Sequence, residues 1–435
     1  MSNGILSHHD VTRVILQTAM KSHHHTRRRQ FSVLRQTCKL WKDIGETLKG
    51  RQALTFSVDS FTDWLTYDDL LFAVQEGKAE PLRFLLARND PRADPSAQDN
   101  YAIRWAAKKG HSETVGILLS DSRVDPSARA NEAIRYAAKK GHSETVRLLL
   151  SDSCVDPSAQ ANEAIRCSAI NGRTETVRLL LSDSRVDPSV QDNYAIRCAA
   201  NEGHTETVRL LLSDPRVDPS AQDNAAIRFA AYKSHSETVR LLLSDSRVDP
   251  SAQDNEAIRG AAYRCHSETV RLLLSDPRVD PSAQDNEAIR GAANECDIET
   301  VQLLLSDHRV DPSALDSAAI INAASQGHRL VVQLLLAHPR VDPSAQTDKA
   351  ITKAIVSGSI QTVQLLLADE RVDPSRNSLV VVSAARGYAD IVELLLSHPR
   401  VDASAQIDEA KRLATEGGFT KVVRMLNDYE MKSTV

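Results

Sequence analysis

The dipeptide Asp-Pro returns at a constant step of about 31 residues, at Asp94, Asp125, Asp156, Asp187, Asp218, Asp249, Asp280, Asp311, Asp342 and Asp373. So constant a step means that each unit is one supersecondary element that cannot bury its apolar face alone, so successive units must stack. An eleventh marker, Asp402, lacks the proline and follows at a slightly shorter interval. Some stretches are identical: Ser251–Ala262 and Ser282–Ala293 both read SAQDNEAIRGAA. The repetition starts near residue 68 and runs to the end, giving about twelve units of an all-α solenoid. Composition agrees with thin layers, since aromatic residues are only 4% and Ala and Leu supply most apolar volume.

Residues 254–284 serve as a representative unit. Asp254 is expected to cap a first helix, helix A, over about Glu256–Arg264, with Ile258, Ala261 and Ala262 on its buried stripe. Ser267 is expected to cap helix B, which carries Val270, Leu272, Leu273 and Leu274 into the core and ends near Asp276. Pro277 and Pro281 then bracket an extended turn. Between the helices a left-handed residue is needed. Gly110, Gly141, Gly172, Gly203, Gly327, Gly358 and Gly387 fill that place, whereas Ser234, Cys265 and Cys296 break the rule in three consecutive units. Each exception should cost roughly 1 kcal/mol, making the middle of the array its softest part.

The stretch AAKKGHSETVRLLL (Ala137–Leu150) resembles the Ala-Ala-x-x-Gly-His core of the ankyrin repeat. The resemblance implies a helix-turn-helix repeat solenoid that binds other proteins, with β-hairpin-like loops between units. Two departures stand out. The step is shorter than the family's, which is about 33 residues. Glu-Ala-Ile-Arg (Glu256–Arg259) stands where the family has Thr-Pro-Leu-His. Shortened loop tips are therefore expected, which moves the weight of binding to the helix A surface.

The resemblance implies that the residues just before the inter-helix turn line a groove. They vary along the array: Lys108 and Lys109, Lys139 and Lys140, Ile170 and Asn171, Asn201 and Glu202, Tyr232 and Lys233, Tyr263 and Arg264, Asn294 and Glu295, Ser325 and Gln326. Such a groove begins basic, carries two tyrosines midway and then turns acidic or polar. Drift of a solvated surface would give the same variation. A second variable column runs Trp105, Tyr136, Cys167, Cys198, Phe229, Gly260, Gly291. Trp105 and Tyr136 are either a binding anchor or packing between units. The candidate target-binding residues are thus Trp105, Lys108, Lys109, Tyr136, Lys139, Lys140, Tyr232, Lys233, Tyr263 and Arg264. The arginine column Arg104 to Arg290 reads as a structural ladder reaching acidic groups such as the Asp-Pro aspartates, with a groove for an acidic ligand as the alternative.

The first fifty residues differ in kind, holding nine Lys/Arg against three Asp/Glu and leaving the remainder at −11 within a total of −5. VLRQTCKLWKDI (Val33–Ile44) resembles the F-box, a small helical module. That implies docking on a Skp-type adaptor of a cullin ubiquitin ligase through Leu34, Cys38, Trp41 and Ile44. F-box-headed ankyrin arrays occur in large DNA viruses and their hosts. The other reading is a helical cap on the end of the solenoid. The organisation expected is a module at 1–50, a junction at 51–67 and the array at 68–435.

Other function classes find little support. There is no Gly-rich phosphate loop, nucleophile elbow or metalloprotease helix, so no enzyme and no cofactor are expected. The column His111, His142, His204, His235, His266 and His328 places one ring per unit, about 8–10 Å from the next, too far apart to share a metal. The six cysteines form no C-x-x-C pair, and no apolar run approaches the ~18 residues of a membrane span. An array this acidic is a poor partner for nucleic acid. The expectation is a monomeric, intracellular, cytoplasmic protein whose partner is another protein.

Overall fold

The computed structural model describes residues 67–295 and 297–433. The predicted module at 1–50, its residues Leu34, Cys38, Trp41 and Ile44, nearly all of the junction, and Cys296 lie outside the described residues. Among the described residues 24 α-helices alternate as A and B from Tyr67–Gln75 to Thr420–Ser433, with no strand. The hairpin-like loops implied by the family resemblance are thus replaced by turns. Each helix A packs extensively against the helices A before and after it, while the B helices touch one another less. In the unit already dissected, Ala257, Ile258, Ala261 and Ala262 of helix A are fully buried, with Thr269, Val270 and Leu273 of helix B.

Helix B is shorter and less buried than expected. It spans Ser267–Leu274, not reaching Asp276, and only the middle leucine, Leu273, is fully buried, with Leu272 and Leu274 half-buried. Three successive residues sweep about 200° of a helix circumference, so a one-sided contact cannot cover them all. Ser267 is the first helical residue and not a cap; its hydroxyl donates to Glu299 of the next unit at 2.9 Å.

The start of helix A departs most from expectation. Asp254 does not cap it. Gln253, Asp254 and Asn255 form one left-handed turn, with φ of 53°, 54° and 60°, before the right-handed turns begin at Glu256. The turn recurs in the units from Gln98 to Asp348. Left-handed residues with a Cβ cost about 1–2 kcal/mol each, so the turn needs compensation. Part comes from the Asp-Pro marker: the Asp249 carboxylate accepts the Ser251 amide at 2.9 Å and its hydroxyl at 2.6 Å. Part comes from Asn255, a nearly buried side chain whose oxygen accepts the Asp280 amide of the next unit at 2.7 Å. The Asp254 carboxylate is turned outward and accepts from Gln284 of the next unit at 2.8 Å.

The arginine ladder supplies the rest. Arg259 donates from Nε to the Asp254 carbonyl at 2.9 Å, from Nη2 to the Gln253 carbonyl at 3.0 Å, and from Nη1 to Glu287 of the next unit. Arg104 repeats this with Asp99, Gln98 and Glu132. The ladder is structural, but its partners are the left-handed turn and, for Arg104, Arg135, Arg228 and Arg259, a glutamate one unit on, not the Asp-Pro aspartates. The reversed handedness aims those carbonyls at the guanidinium, a direction that sequence spacing does not reveal. A second column of arginines, just after helix B, forms another ladder whose partners the sequence does not show. Arg278 pairs with Asp276 at 2.7 Å and reaches back to the Val248 carbonyl at 2.7 Å and the Leu243 carbonyl at 3.0 Å. It thereby satisfies an unpaired carbonyl at the end of the previous helix B.

The inter-helix turn is left-handed as expected, with φ from 63° to 81° at the glycines from Gly110 to Gly387, and 66° and 62° at Ser234 and Cys265. Glycine has a second reason to be there. A Cβ at Gly203 would lie 2.4 Å from Nδ1 of His235, whose ring occupies that space. The histidine donates from Nε2 to the Asn201 carbonyl of the unit before at 2.9 Å, and His266 does the same to Tyr232 at 3.0 Å. These rings tie one unit to the next. Replacing Ser234 or Cys265 by Gly should raise stability by about 1 kcal/mol each, seen as a higher urea midpoint. An unchanged midpoint in both variants would mean that these turns carry no strain.

Candidate functional site

Helix A presents its last turn to solvent, because Ala261 and Ala262 take the buried side and the following pair faces away. The structure sorts the sequence-predicted residues into two clusters along this face, separated by the units whose A helices are Ala159–Ile170 and Val190–Asn201.

The first cluster lies on helices Ala97–Lys109 and Ala128–Lys140. Trp105 and Tyr136 are half-buried, and Lys108, Lys109, Lys139 and Lys140 are exposed. Trp105 stacks on Tyr101 with ring centres 5.7 Å apart. The Lys108 ammonium lies 5.8 Å from the Trp105 ring and 5.1 Å from the Tyr136 ring, and that of Lys109 lies 5.0 Å from Trp105. The two aromatic residues are therefore neither a bare anchor nor only packing: they form a floor beneath lysine heads. Tyr101 was not among the predicted residues; its place four residues before Trp105 on one helix was the available signal.

The second cluster lies on helices Ala221–Tyr232 and Ala252–Tyr263. Phe229, Tyr232 and Tyr263 are 38%, 43% and 50% exposed. Lys233 and Arg264 are exposed beside them, and the Arg264 guanidinium sits 5.1 Å over the Tyr232 ring. Where the variable column drops to glycine, the tyrosine of the preceding unit lies alongside. A Cβ at Gly260 would touch Tyr232 at 3.4 Å, and one at Gly291 would touch Tyr263 at 3.6 Å. Each tyrosine lies along the next unit, over the glycine. Phe229 also missed the predicted set, since its exposure depends on that neighbouring packing.

Between the clusters, burial pushes the Cys167 and Cys198 thiols up from their ordinary range. Neither is a ready nucleophile. His266 is held below its ordinary value, chiefly by burial against the preceding unit. The face thus offers aromatic area and cationic heads on a rigid row of helices, which suits binding an extended surface.

The family model for ankyrin repeats (3 copies) matches residues 70–161, 103–192, 196–285 and 288–378. No curated protein matches the chain. Among the described residues no helix is long and apolar enough to cross a membrane.

Proposed function

The chain belongs to the ankyrin repeat family, and on that premise we propose that it is an array of about twelve units that holds a protein target on its helix A face. The observation that carries this is the exposure of Phe229, Tyr232 and Tyr263 on adjacent helices A, in a chain with few aromatic residues. Exposed rings flanked by arginine are the residue types that dominate binding energy at protein interfaces. Selection of displayed peptides against the full chain tests the reading. Binders should lose at least tenfold in affinity with Tyr232→Ala/Tyr263→Ala, since one anchor is worth about 1–2 kcal/mol or more. Binders indifferent to that change would place the target elsewhere.

For the N-terminal segment we propose the F-box role, in which Leu34, Cys38, Trp41 and Ile44 dock a Skp-type adaptor and the array presents its target to a cullin ubiquitin ligase. Support comes from the spacing of those residues in the sequence alone. The full chain should retain a Skp-type adaptor in a pull-down, and Trp41→Ala or Leu34→Ala should abolish retention. Failure of the wild type where an established F-box protein succeeds leaves a binding scaffold whose N-terminus is a cap.

A further inference from the structure

The lysine cluster at one end of the helix A face is charged differently from the rest of the array. The arginines of both ladders are committed to carbonyls and carboxylates, as Arg259 and Arg278 illustrate. Lys108, Lys109, Lys139 and Lys140 are exposed, and none forms an ion pair among the described residues. Their contacts run to aromatic faces instead: Lys108 to Trp105 and Tyr136, Lys109 to Trp105.

The fold does not require them there. A cation at a helix C-terminus offsets the dipole, but other units end helix A with Ile170 and Asn171, Asn201 and Glu202, or Asn294 and Glu295. Like charges on neighbouring helices repel, and contact with ring quadrupoles only partly relieves this. A ligand that brings carboxylates would relieve it further. The surrounding chain is net acidic, so the attraction is confined to this patch. A short acidic stretch can sit there, whereas a long phosphate chain would run on over acidic units.

We propose that the ends of helices Ala97–Lys109 and Ala128–Lys140 dock an acidic peptide segment of the protein partner. Its carboxylates meet Lys108, Lys109, Lys139 and Lys140, and an apolar or aromatic residue between them lies on Trp105 and Tyr136. This rests on the helix A face being the binding face and names the chemistry of one part of it. The contact is electrostatic at its rim and therefore weakens with salt.

Fluorescence anisotropy with the full-length protein tests it, using a short fluorescein-labelled peptide of alternating Glu and Tyr as probe. Alternating Lys and Tyr, and single-stranded oligothymidylate, are the comparison ligands. The acidic peptide should bind more tightly than either, and Lys108→Glu/Lys139→Glu should weaken it at least about tenfold. The variant should keep the wild-type helical circular dichroism and urea midpoint, because the exchanged side chains are exposed. Absence of acidic-peptide binding, tighter binding of the oligonucleotide, or indifference to the charge exchange would each overturn the proposal. Binding that survives the lysine exchange but is lost in Tyr232→Ala/Tyr263→Ala would leave the helix A face standing and remove only the lysine site.

Discussion

Replacing Arg259 by Ala is expected to lower stability by about 2–4 kcal/mol, because two carbonyls of the left-handed turn and Glu287 lose their partner together. The turn itself is unfavourable by about 3–6 kcal/mol over its three residues. It persists because the guanidinium, the Asp249 carboxylate and Asn255 hold it from three sides. Stability in a stacked array is close to a sum of units and their interfaces, so the loss should be local. Amide exchange should rise in the segments from 252 to 290 and stay near the wild-type value toward both ends of the array. Arg259→Lys separates the causes. Lysine can still meet Glu287 but cannot fork two carbonyls. It should recover less than half of the loss. Full recovery would mean that the ion pair holds the unit and the fork does not.

Asp348→Asn should do the opposite and stabilise the array by about 1–3 kcal/mol at neutral pH. Asn occupies this place in the units from Asn100 to Asn286, where its oxygen accepts the amide of the next marker aspartate. Asp348 keeps that bond, from the Asp373 amide at 2.9 Å, but it is fully buried and its second oxygen has no hydrogen-bond partner. Arg376 approaches only to 3.8 Å. Burial therefore pushes the Asp348 carboxyl up from the ordinary carboxylate range. A raised carboxyl binds its proton more tightly folded than unfolded. Its penalty is complete above the folded pKa and vanishes as pH falls below the unfolded value near 3.9. The gain from Asn should shrink along that path, measured as the difference between variant and wild-type urea midpoints at each pH.

The wild-type background runs the other way. Asp276 beside Arg278, like Asp183, Asp214 and Asp245 beside their own arginines, is held below the ordinary range. Those pairs stabilise above the unfolded pKa and lose their contribution as pH falls through the folded one. The whole array should therefore weaken in acid while the Asp348 penalty disappears. A pH-independent difference between the two proteins would rule out ionisation as the cause. Asn255→Asp, placing the same charge in another unit, should reproduce the neutral-pH loss.

Much of this protein was legible in its sequence. The constant Asp-Pro step implied the solenoid, since a unit of that size has no stable core until it stacks. Ile258, Ala261 and Ala262 fell on one helical stripe and are buried. The glycines before His142 and His204 marked left-handed turns, because only glycine takes that backbone without cost. Such features are local, and local sterics suffice to read them.

What only the tertiary structure decided depends on contacts between units. Asp254 and Asn255 tolerate left-handed backbone singly, but nothing in Gln253-Asp254-Asn255 announces three such residues in succession; the turn exists through Arg259, the Asp249 carboxylate and the next unit's Asp280 amide. Two ladders of arginine look alike as columns in the sequence, yet one serves its own unit and, where a glutamate follows as at Arg259, the next one, and the other reaches back to the preceding unit. Tyr232 and Tyr263 could be read as surface residues, but not that each lies along the next unit beside Gly260 and Gly291. A constant step along the chain states that units meet. Which atoms meet is set by side chains approaching from neighbouring units, and that geometry exists only once the stack is built.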